Sequence, residues 1–210
     1  MDFFTDFNDL MTRGGPIMWV IFFTAWVALI MLIERGLQIH RWVKHAREDQ
    51  EGFHNNTNFQ PARPRGQRTS PIALLLHQLD WNDIHTKDDL SKQMNIHLAE
   101  LMPKLEGLLP TIAIIGSLLP MLGLLGTVTG MIQVFQVIAL HGTGNPQEMA
   151  HGISQALLTT ASGLIIAIPV IFFHHLLVRR LRFLLAITEQ SILVIYNRDL
   201  PQQPLGGEHE

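Results

Sequence analysis

Cysteine is absent from the 210 residues, so neither a disulfide framework nor a thiolate site can form. Charge is scarce too. Asp, Glu, Lys and Arg make up 16% of the chain, against about 25% in an average soluble protein. The sequence also lacks an HExxH pair, a glycine loop running into a phosphate-binding lysine, and a Ser/His/Asp constellation. These absences point away from an enzyme.

The missing charge is concentrated in three places. Residues 14–33, 107–140 and 149–178 contain no Asp, Glu, Lys or Arg. A helix needs about 20 apolar residues to cross the hydrocarbon core, so each window holds one span. The pattern predicts an all-α integral membrane protein with transmembrane helices at 16–33, 107–140 and 149–178. Around them it predicts an amphipathic segment over 1–15, a cytoplasmic helical loop over 34–106 and an outer turn over 141–148. A cytoplasmic helix over 179–200 and a disordered tail over 201–210 complete the chain. Within the loop a break is expected at Asn55–Asn58, with irregular chain over Pro61–Gly66 and helix from Pro71 to about Glu106. The first apolar run is read as a retained span and not a cleaved signal. Asp2, Asp6 and Asp9 precede it where a signal peptide would be basic.

Lys and Arg resist transfer across the membrane and so set orientation. Arg13 alone precedes the first span, ten lie between spans 1 and 2, none lies in the second connection, and four follow span 3. The expected topology is N-out and C-in with a large cytoplasmic loop. That loop balances ten acidic against ten basic residues, which argues against nucleic-acid binding. Arg179, Arg180 and Arg182 are read as an anchor against anionic lipid headgroups.

Within these spans small residues recur at helical spacing. At about 100° per residue, Gly116, Pro120, Gly123, Thr127 and Gly130 fall near one line on span 2. On span 3, Gly152, Ala156, Thr159, Gly163 and Ala167 share about a third of the circumference, with Gln155 and Thr160 at its edges. Small residues let membrane helices approach closely. An amide at membrane depth is costly unless it faces protein or water. Hydroxyls and an amide beside two small stripes suit helices that line a narrow polar path. Simple packing, with each hydroxyl returned to its own backbone, is the competing reading.

The residues resemble the TolQ/ExbB/MotA family of ion-channel subunits. The likeness is carried by Gly14-Gly15-Pro16 and Glu34-Arg35 around span 1, and by Gly123-Leu-Leu-Gly126-Thr127-Val128 in span 2. It continues through Ile153-Ser-Gln-Ala-Leu-Leu-Thr-Thr160-Ala161-Ser-Gly163-Leu164 to Ala167-Ile168-Pro169 in span 3. Three spans place the chain nearer TolQ and ExbB than four-span stators, and little sequence before span 1 inclines it towards ExbB. The resemblance implies a ring, generally of five chains, around a dimer of a single-span ExbD- or TolR-like partner that carries a membrane Asp. It implies a bacterial inner-membrane motor that conducts protons and works on the outer membrane through a TonB- or TolA-like protein. It further implies that Thr127 and Thr160 line the ion path, joined by Thr159 and Gln155. Gly116, Gly123, Gly126, Gly130, Gly152, Gly163 and Pro169 would then shape helix packing around the pore.

Two positions depart from the family pattern. Gln155 stands where relatives commonly have Glu, and an amide cannot titrate. Thr159 stands where proton-type relatives usually have Ala, so paired hydroxyls leave sodium open as the transported ion. No cofactor or metal is expected. Of the eleven histidines, His174 and His175 are adjacent and diverge on a helix, while His141 and His151 flank the outer turn. The alternatives are a TolQ-like envelope motor, a sodium-driven version, and a scaffold that conducts nothing.

Overall fold

The computed structural model describes residues 2–55, 86–142 and 145–199, with Leu75 and Gln78. The expected break at Asn55–Asn58 and loop at Pro61–Gly66 lie outside these residues apart from Asn55, which ends a helix. The start of the helix expected from Pro71 and the tail at 201–210 also lie outside them. Among the described residues the chain is all-helical. Helix α1 runs Asp2–Asn55, α2 Lys87–Glu106, α3 Leu109–His141 and α4 Pro146–Asp199. Three of these are long and apolar enough to cross a membrane, through stretches Leu10–Glu48, Leu109–His141 and Pro146–Val194. The 33 residues of α3 extend about 50 Å, longer than a hydrocarbon core of about 30 Å.

Helix α1 is broken once. Gly15 leaves helical geometry at φ 67° and ψ −165°, a conformation that L side chains rarely adopt, and Pro16 then opens the next turn. Gly14 is the last residue before this break. Helix α2 starts on a capping box. The Thr86 hydroxyl accepts from Asp89 N at 3.2 Å, and the Asp89 carboxylate accepts from Thr86 N at 3.0 Å. It ends at Gly107, whose N–H reaches the Pro103 carbonyl at 3.0 Å.

The helices form two compact units. One contains residues 1–35 and 108–176, the other 36–107 and 177–210. In the second, Leu90, Met94, Leu98, Leu101 and Leu105 of α2 are buried at helical spacing. Leu177, Leu181, Leu184 and Ile187 of α4 repeat that spacing, and Ile39 and Ala46 of α1 join them. This is a water-type core of Leu and Ile. The first unit is built differently. Its outward faces carry Trp19, Phe23, Trp26, Met121, Leu124, Phe135, Leu157, Ile165 and Phe172. Between α3 and α4 it buries mostly small residues, because lipid-facing bulk gains nothing by turning inward.

Candidate functional site

The buried positions of α3 are Leu109, Ile112, Gly116, Leu119, Gly123, Gly126, Gly130 and Val134. Steps of three and four residues keep them on one stripe. Helix α4 answers with Gly152, Gln155, Ala156, Thr159, Gly163, Ala167 and Val170. The two stripes meet in antiparallel register. Gly116 lies against Val170 and Ile171, Gly123 against Thr159 and Thr160, Gly126 against Thr159, and Gly130 against Gly152 and Ala156. A Cβ on Gly163 would stand 2.7 Å from the Leu119 carbonyl oxygen and 3.1 Å from Gly123 Cα, so backbone meets backbone there. The six glycines singled out from the sequence all take part in this seam. Pro169 does not; it lies on the exposed side of α4.

Each polar side chain of the seam has a definite partner. Thr160 Oγ1 donates across the helix pair to the Gly123 carbonyl at 2.9 Å. Thr159 is 1% exposed and returns its hydroxyl to its own helix, to Ala156 O at 2.9 Å and Gln155 O at 3.1 Å. Its side chain fills the space that the missing side chain of Gly126 leaves. Thr127 sits at the edge of the stripe, half-buried, and donates to Leu124 O at 2.7 Å. Within one chain, then, Thr159 and Thr160 both belong to the α3–α4 contact, and Thr127 borders it.

Gln155 is 7% exposed, and its amide reaches back to α1. Nε2 donates to the Gly14 carbonyl at a long 3.5 Å, and Gly15 leaves room for the same amide. This contact was not legible as a pairing, since 141 residues separate the partners. Its signal was the Gly-Gly-Pro break itself, where a glycine without a side chain lets another helix's amide come close. The amide suits this role as a neutral donor. An ionised carboxylate could only accept.

The histidines do not gather. The His174 and His175 rings meet edge-on at 5.3 Å between centroids, and no group of three potential metal ligands occurs among the described residues. His151 instead lines an open pocket of about 450 Å³ with Gln133, Val137, Asn145, Glu148 and Gly152. Sequence reading passed over Glu148 and Gln133, because single polar residues at helix ends carry no pattern.

Comparison with known proteins agrees with this architecture. Residues 67–190 match the model of the MotA/TolQ/ExbB proton channel family. The chain is 29% identical over 184 residues to a biopolymer transport protein exbB1 of Vibrio cholerae, covering 81% of this chain and 78% of that protein. It is 42% identical over 84 residues to a biopolymer transport protein ExbB of Aquifex aeolicus, covering 40% of this chain and 57% of the relative. A Tol-Pal system protein TolQ of Pseudomonas aeruginosa is 34% identical over 88 residues, 42% of this chain and 38% of that protein. The last two alignments thus span less than two thirds of the relatives' lengths. ExbB and TolQ proteins are inner-membrane proteins, and three membrane-length helices fit a multi-pass chain of the same kind. By its family match and its membrane architecture, the chain belongs to the MotA/TolQ/ExbB proton channel family.

Proposed function

We propose that this chain is the proton-conducting subunit of an ExbB/ExbD-type motor that converts ion motive force into work for TonB-dependent outer-membrane transport. In this reading about five copies form a ring, N-out and C-in, around a dimer of a single-span partner bearing a membrane Asp. Names of the ExbB type among the relatives support this motor, and the TolQ relatives make a TolQ-like envelope motor the second reading.

The observation that carries the proposal is the Thr160 hydroxyl at membrane depth, bonded to the Gly123 carbonyl at 2.9 Å. A hydroxyl has one donor and two acceptor positions. While it donates to Gly123 it can accept from a protonated carboxyl, and on turning it can donate to the ionised form. Thr160 therefore serves both states of a partner carboxylate that takes up and releases protons. Thr159 favours protons over sodium in this scheme, because its hydroxyl is buried against Gly126 and turned away from Thr160, so the two do not converge on one ion. It is not paired with Thr160 as a ligand. Gln155 acts as a neutral tie between α1 and α4, so titration falls to the partner's Asp.

The test is Thr160→Val in the complex co-purified with its single-span partner and reconstituted into proteoliposomes. Proton flux is expected to fall by about 10²-fold, at the low end of what proton-transfer groups contribute, with the native mass unchanged. Full flux in that variant would refute the conducting role. A ring that never retains a partner would favour the scaffold instead.

A further inference from the structure

The pocket lined by Gln133, Val137, Asn145, Glu148, His151 and Gly152 has no part in the seam chemistry described above, yet it opens at one end of that seam. Gly152 belongs to both. It lines the pocket and also packs against Gly130 and Val134. Glu148 is the only carboxylate between Glu106 and Glu189, so no other acid competes for that role in α3 or in α4 up to Glu189. Its position three residues before His151 puts the two on one helix face.

That face continues into the buried part of the span. Glu148, His151, Gln155 and Thr159 follow one another at steps of three, four and four, within roughly 80° of arc. Their exposure changes along the line. Glu148 and His151 are exposed, whereas Gln155 and Thr159 are buried. The remaining titratable or charged side chains described at this end are Arg13 of α1, one residue before the carbonyl held by Gln155, and His141 at the end of α3.

We propose that this pocket is the proton-collecting mouth of the channel, an inference that rests on the conducting role above. Glu148 and His151 each bind a proton from water, release it inward and return to their basic forms, so the chain is unchanged after each transfer. The need for such a mouth follows from rate. At pH 7 hydronium arriving by diffusion alone supplies on the order of 10³ protons per second, and a carboxylate beside an imidazole enlarges the target and holds a local reserve. From His151 the helix descends about 13 Å to Thr160.

The experiment uses the full complex with its single-span partner in proteoliposomes, comparing wild type, the Glu148→Gln/His151→Gln double variant and Thr160→Val. Proton flux is read near pH 8 in dilute buffer and again in concentrated imidazole. The double variant is expected to lose about tenfold in dilute buffer, within the range of electrostatic focusing, and to recover in imidazole, which replaces the missing carriers. Thr160→Val should lose flux in both buffers. Undiminished flux in the double variant beside a silent Thr160→Val would overturn the mouth and leave the channel standing. A loss that imidazole does not restore would also overturn it, since that marks a structural defect. Absence of proton flux in the wild type would overturn both.

Discussion

Replacing Gly163 with Ala tests whether backbone contact between α3 and α4 holds the membrane unit together. The added Cβ would lie 2.7 Å from the Leu119 carbonyl oxygen, 3.1 Å from Gly123 Cα and 3.3 Å from Gly123 N. These are backbone atoms of the facing helix, so no side chain can swing aside. Ordinary C···O contact is about 3.3 Å, which requires the helices to part locally by roughly 0.6 Å. A gap of that size forfeits a quarter to a half of each facing atom pair's attraction of about 0.1–0.2 kcal/mol. Over roughly twenty pairs this amounts to about 1 kcal/mol. Weakening the Thr160–Gly123 hydrogen bond of 2.9 Å adds to it. The helix itself gains little from Ala, because it stays helical in lipid whether or not it is packed. A net loss of about 2 kcal/mol follows, inside the range for overpacked cores.

Gly36→Ala is the matched control. Its Cβ would meet only the end of Leu177 at 3.7 Å, an ordinary contact. Thermal unfolding in detergent should show Gly163→Ala melting about 4–8 °C below wild type, with Gly36→Ala at or above it. Equal stability of Gly163→Ala and wild type would refute the seam as the source of cohesion. So would an equally large loss in Gly36→Ala.

Other expectations concern single side chains. Gln155→Leu removes the long hydrogen bond to the Gly14 carbonyl and should cost about 0.5–1.5 kcal/mol, measured by the same melt. Gln155→Glu should hold the contact only when protonated. An ionised carboxylate can only accept, so it cannot replace the amide's bond to the Gly14 carbonyl, and the variant should melt below wild type. A melting point equal to that of wild type would contradict the tie to Gly14. Gly126→Ala forces Thr159 from its place and should destabilise more than Gly36→Ala, whereas Thr159→Ala in the same chain should restore part of the loss. Removing the capping hydroxyl with Thr86→Ala should cost α2 about 1 kcal/mol, seen as faster amide exchange over Lys87–Leu90, with proton flux unaffected.

The membrane spans were decided by the sequence, because a charged side chain in hydrocarbon is so costly that three charge-free windows leave no other placement. The glycine stripes were equally legible, since on an isolated helix spacing alone assigns a face. The family motifs added Thr127, Thr160 and Gln155 as residues to watch. What each one touches was not legible. Spacing put Thr127 on the stripe, yet the contact with α4 centres a little to one side, on Gly123, Gly126 and Gly130, and leaves Thr127 at the edge. Thr159 and Thr160 are neighbours in the chain but turn about 100° apart, one onto its own backbone and the other onto α3. Gln155 reads in sequence as a polar residue in want of a partner. Only packing brings it to a carbonyl 141 residues away, beside the break at Gly15 and Pro16. Periodicity fixes the face of each helix, whereas rotation and register between helices depend on which backbones can touch, and that is a property of the assembled unit.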